Sequence, residues 1–132
     1  MRRLAALAFL VACDAQIPAF HGVTLGMTPR DVRTHFDDQG AFEAEPNADD
    51  FKMKFTPEKN STVTSATFEF HSGVLVAIRA ELSPNDAFAR GQDTLVSKAI
   101  VLHRTRAPES VHVDELARDC PTHHAEAERL VR

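Results

Sequence analysis

The sequence predicts one α+β domain, a small antiparallel sheet with helices packed on one face. Three observations predict it. Apolar and polar residues alternate at period two through Phe51-Lys52-Met53-Lys54-Phe55 and on both sides of Ser72-Gly73, the pattern of half-buried strands. Thr28-Pro29-Arg30-Asp31 and Ser83-Pro84-Asn85-Asp86 each join a capping hydroxyl, a proline and an acid, the signature of a helix start. The chain has 132 residues, 26% charged and 43% hydrophobic, which suits a single soluble domain and disfavours wholesale disorder. With nine Phe and neither Trp nor Tyr, the core must rest on phenylalanine.

The first thirteen residues read as an export signal. Arg2 and Arg3 precede nine apolar residues, Leu4 to Ala12, and a small residue stands before Cys13. Nine helical residues rise roughly 13 Å, well short of the ~30 Å hydrocarbon core, so the run is not a membrane span. Residues 1–12 are expected to be a lipoprotein signal peptide, and 13–20, with Pro18, a lipidated cysteine and tether. The domain then occupies 21–132. Without Arg2 and Arg3 the chain carries 13 basic and 19 acidic residues, a net −6, which argues against a nucleic-acid surface.

Within the domain, Thr28 caps a helix with Pro29 at its first position and Asp31 at its third. Val32 and Phe36, four apart, form the buried stripe, and the helix ends by Gly40. A polar loop containing Pro46, Asn47, Asp49 and Asp50 leads to the strand at 51–55. Ala66, Phe68 and Phe70, then Val74, Val76, Ile78, Ala80 and Leu82, build a hairpin around Ser72-Gly73. Ser83 opens a short helix that runs to about Arg90 and stops at Gly91. Thr94 to Thr105 reads either as helix, through Leu95, Ala99 and Leu102, or as strand. Val96, Ile100 and Val101 favour strand. Ser110 to Leu116 pairs back on it. Cys120-Pro121 opens a terminal helix that packs Ala125, Leu130 and Val131 on the sheet and leaves Glu126, Glu128 and Arg129 in water.

Leu10-Val11-Ala12-Cys13 resembles the bacterial lipobox, which implies a diacylglycerol thioether on Cys13 and membrane attachment through acyl chains worth about 0.8 kcal/mol per buried CH₂. Val23-Thr24-Leu25-Gly26-Met27-Thr28-Pro29-Arg30-Asp31-Val32 resembles the helix opening of the BamE/SmpA-type outer-membrane lipoproteins. That resemblance implies a cell-envelope lipoprotein facing the periplasm, attached to an envelope protein complex. The family closes this helix with Leu-Gly-x-Pro, where Phe36-Asp37-Asp38-Gln39-Gly40 stands here, and no binding residue transfers. Asp14 resembles an inner-membrane retention signal, so inner versus outer membrane stays open, as does oligomeric state.

Two cysteines also permit a Cys13–Cys120 disulfide, which excludes lipidation of Cys13. Under lipidation Cys120 is the odd thiol. As the cap of the terminal helix, with His123 three residues on, it is a candidate reactive thiol. If 94–105 and 110–116 form a hairpin with loop Arg106–Glu109, residues summing to 215 face each other. His103 and His112 are then neighbours and, with Cys120 and His123, a candidate zinc set. His71-Ser72 lacks an acid in sequence to orient the imidazole. Arg79, Arg90, Arg104 and Arg106 are candidates for a basic face, and Phe42, Phe51 and Phe88 for an exposed aromatic patch of the kind an enzyme inhibitor uses. No cofactor is implied. These readings converge on an envelope lipoprotein that binds rather than catalyses, with a thiol- or zinc-dependent protein, or an inhibitor of a secreted enzyme, as alternatives.

Overall fold

A computed structural model of the chain describes residues 16–47, 50–58 and 60–132. Residues 1–15, which include Cys13 and the stretches expected to be a signal peptide and the first part of a tether, lie outside the described residues. The remainder is dominated by one seven-stranded antiparallel sheet accompanied by two helices. Helix α1 is Pro29–His35, and strands β1 to β4 are Gly40–Asn47, Asp50–Pro57, Val63–His71 and Val74–Leu82. After a single 3₁₀ turn at Ala87–Ala89 come β5 (Thr94–Val96), β6 (Ile100–Arg106) and β7 (Val111–Ala117), then helix α2, His124–Val131. The strand order is β1-β2-β3-β4-β7-β6-β5.

Alternation sorts the sheet into two faces. One carries Met53, Phe55, Phe68, Ile78, Leu102 and Val113, and Phe20, Val23, Val32 and Phe36 close over it, all 2% exposed or less. Phenylalanine does most of the filling: the Phe36 ring lies 4.7 Å from Phe55 and 5.8 Å from Phe68, and Phe20 lies 5.1 Å from Phe88. Each buried ring contributes roughly 1.5–3 kcal/mol by leaving water. Phe20, expected in the tether, is therefore part of the core. The other face has a smaller apolar patch of Ala77, Val101 and Leu116, on which Ala127 of α2 sits with Leu130 beside it. The helices thus cover opposite faces, correcting the expectation of one. β4 and β7 present apolar side chains to both sides, and the second set attracts its own helix.

α1 forms as its cap dictates. The Thr28 hydroxyl accepts from the Asp31 N–H and the Asp31 carboxylate from the Thr28 N–H, a reciprocal capping box. The segment before it is tied to the sheet, because Gly26 donates to the Leu75 carbonyl and Leu75 to the Met27 carbonyl, each at 2.8 Å.

Several elements depart from expectation. The polar stretch before β2 is itself a strand, β1, paired along its length with β2. Its alternate Glu residues hid it, since only Phe42 reaches the core. The 94–105 strand is broken into β5 and β6 by a turn in which Ser97 donates its N–H to the Ile100 carbonyl. A bulge in β4 sets Glu69 opposite Ala77 but Phe70 opposite Leu75, so Leu75 enters the core while Val74, expected there, is 40% exposed. The helix expected from Ser83 is only the 3₁₀ turn, capped by Asp86, whose carboxylate accepts from the Phe88 N–H at 2.8 Å. Gly91, the expected stop, lies against Arg104 with φ +109°.

Candidate functional site

The α2 side of the sheet carries a connected set of charged groups. Its centre is Arg79 on β4, which donates to Glu69 of β3 at 2.5 Å and to Asp114 of β7 at 3.1 Å. It also grips Glu126 of α2 with two bonds of 2.8 and 2.9 Å. Cross-strand register explains the gathering, since Arg79 lies directly opposite Asp114 and one pleat from Glu69. Glu69 is 9% exposed, and its second oxygen meets His123 Nε2 at 2.8 Å. The other ring nitrogen, Nδ1, lies 2.9 Å from the Thr122 hydroxyl and 3.4 Å from Cys120 Sγ. His112 extends the set, with contacts of 2.8 Å to Glu81 and 3.1 Å to Asp114.

The charges stabilise one another. Burial alone would raise the Glu69 carboxyl, but hydrogen bonds from His123 and Arg79 outweigh it and hold it at about 2. The bond to Glu69 raises His123, against burial and with help from Cys120. Burial pushes the Cys120 thiol up, and hydrogen bonds with Thr122 and His123 bring it below its ordinary value. Beside this set opens a cleft of about 420 Å³, lined by Glu45, Phe51 and Lys52 at one end and Glu69, Arg79 and His123 at the other.

Thiol, imidazole and carboxylate stand in the order of a nucleophilic relay. The delivery is wrong for one. Cys120 is 5% exposed and is not among the residues lining the cleft. It does not cap α2 either: that helix begins at His124, and Cys120 serves the preceding turn through its carbonyl, which accepts from the His123 and His124 N–H groups, and through its Sγ, 3.1 Å from the Thr122 hydroxyl. The set's evident work is mechanical, fastening α2 and its leading turn to β3, β4 and β7.

Comparison with protein-family models, curated proteins and solved structures finds no match.

Of the residues expected to act together, only Cys120 and His123 do. The zinc set is not assembled. The β6–β7 turn closes with Ala107 N–H donating to the Ser110 carbonyl, so facing residues sum to 217 rather than 215. His103 then faces Asp114 and bonds Thr94, while His112 faces Thr105. Among the described residues no group of three or more His, Cys, Asp or Glu is placed to hold a metal. The expected basic face divides as well: Arg79 lies beneath α2, whereas Arg104, 3% exposed, donates on the other side to the Phe88 and Gln92 carbonyls. Phe88 is buried, so it adds nothing to an exposed aromatic patch. His71 does have an acid, Asp50, its cross-strand partner at 2.5 Å. Glu126, expected in water, is instead held by Arg79, and the sequence reading gave no role to Glu69 or Thr122. An acid inside Phe68-Glu69-Phe70 and Arg79 inside an apolar run were the available signals, but only the register shows that they meet.

Proposed function

We propose that the protein is a cell-envelope lipoprotein, anchored through Cys13 and facing the periplasm, whose domain binds an envelope partner without catalysing a reaction. The lipobox-like Leu10-Val11-Ala12-Cys13 and the BamE/SmpA-like Gly26-Met27-Thr28 helix opening support the compartment. One observation carries the non-catalytic part. The strongest chemical cluster, Cys120, His123 and Glu69, spends its polar atoms on its own members, Thr122 and Arg79, with the thiol buried away from the cleft. The protein expressed with its own signal in a Gram-negative host should have an intact mass corresponding to a chain beginning at Cys13 with acyl groups added. Cross-linking in that host should then capture the same envelope partner with wild type and with Cys120→Ala. A mass retaining Met1, or a Cys13–Cys120 bridge, overturns the anchor, and loss of capture in the alanine variant overturns the non-catalytic reading.

The lowered thiol gives thiol chemistry a second place. That reading predicts iodoacetamide modification of the folded domain at neutral pH as fast as that of a free thiol, abolished in His123→Ala. The binding reading predicts slow modification, accelerated when the domain is unfolded in urea.

A further inference from the structure

We infer that the outer edge of β1 is a docking strand for an extended protein segment bearing Lys or Arg at alternate positions. This rests on the reading of the domain as a binding module and names the surface and partner chemistry.

The sheet is open, and its two edges differ. β5 offers three residues, whereas β1 offers eight, and no described strand pairs with its outer side. The direction of its backbone groups follows from register. Pro46 faces Phe51 and Pro57 faces Gly40, and neither proline has an N–H to donate. Both sit where no ladder bond to the neighbour is needed. The Glu58 N–H donates to the Gln39 carbonyl at 2.9 Å, which places odd-numbered residues at the positions bonded to β2. The N–H and C=O groups of Phe42 and Ala44 therefore point outward, ready to continue the ladder.

Side chains select the occupant. Phe42 and Ala44 face the core side, whereas Glu43 and Glu45 are exposed on the α2 side, opposite Lys54 and Lys52. The next strand beyond Lys52 presents Glu69. Charge thus alternates across the sheet, and a strand added outside β1 continues the alternation if it places cations against Glu43 and Glu45, two residues apart. A second copy of β1 is a poor fit, because antiparallel pairing centred on Ala44 sets glutamate against glutamate. A cation opposite Glu45 also lies beside the 420 Å³ cleft, which Glu45 and Lys52 help to line.

The test uses two fluorescently labelled peptides, one alternating lysine with valine and one alternating glutamate with valine, titrated into the folded protein at low salt. The lysine peptide is expected to bind about tenfold more tightly, and Glu43→Lys with Glu45→Lys to invert the preference. Ala44→Pro deletes one outward donor without touching the β1–β2 ladder and should weaken lysine-peptide binding by about tenfold. Amide exchange in the wild type supplies a measurement independent of any variant, with the Phe42 and Ala44 amides expected to gain protection on peptide addition. Equal affinity for both peptides, no saturable binding, protection elsewhere, or a dimer abolished by Ala44→Pro overturns the inference. An envelope partner still captured by the Ala44→Pro variant overturns this docking edge while leaving the binding-module reading intact.

Discussion

Glu115 gives the sharpest test of the fold's energetics. It lies on β7 facing the main core, opposite Leu102 and Ile78, is 2% exposed, and its Oε1 has no hydrogen-bond partner among the described residues. Burial raises its carboxyl from 4.5 to about 8, with Arg104 opposing only in part. Between those values the unfolded chain has released a proton that the native chain retains. Native stability therefore falls as pH rises from 4.5 to 8 and levels off above, by up to about 1.4 kcal/mol per pH unit and about 5 kcal/mol in all. That is comparable to the whole stability of a marginal domain. Glu115→Gln keeps the shape and removes the titration. Urea unfolding of both proteins at pH 5, 6, 7, 8 and 9 cancels the groups they share, and the variant should gain on the wild type with each unit to pH 8. Its amide brings a desolvation cost of about 1–3 kcal/mol, which offsets the comparison equally at every pH. A difference that does not change with pH refutes the reasoning.

Glu69 should behave oppositely: its carboxyl is depressed to about 2, so its contribution is present above 4.5 and lost as pH falls through 2, and Glu69→Gln should flatten acid unfolding over that window. Arg79→Ala leaves Glu69, Asp114 and Glu126 crowded without their cation and should cost on the order of 3 kcal/mol in chemical denaturation. Phe36→Ala, which opens a cavity between α1 and the sheet, should cost about 3–5 kcal/mol, and Thr28→Ala about 1 kcal/mol through the lost cap.

Local chemistry was readable where it is self-contained. The Thr28 cap, the Val32/Phe36 stripe, β2 and the hairpin at Ser72-Gly73 depend on neighbours within a few residues, and they form as their patterns indicate. What escaped depends on pairing. β1 has little apolar signal of its own and is a strand because β2 holds it. The β4 bulge reverses the parity of Val74 and Leu75, which no period-two count reveals. At the site, Cys120 and His123 are three apart in the chain and were legible as a pair. Glu69 comes from 54 residues away and Arg79 from the adjacent strand, so the cluster exists only at the level of register.

The arrangement also explains why charge lies beneath a helix at all. α2 has eight residues, too few to persist alone, and its apolar footing is one fully buried alanine with Leu130 beside it. That patch permits close approach but specifies little about rotation. Two bonds from Arg79 to Glu126 and two from Arg118 to Glu128 set the rotation, while His123 fixes the leading turn to Glu69. Arg118 and Glu128 are more open to solvent screening than Glu69 and His123. High salt should therefore loosen the C-terminal end of α2 before its beginning, observable as faster amide exchange at Leu130 and Val131 with the Ala127 amide still protected. Simultaneous loss of protection at all three would show that the apolar patch, and not the ion pairs, holds the helix.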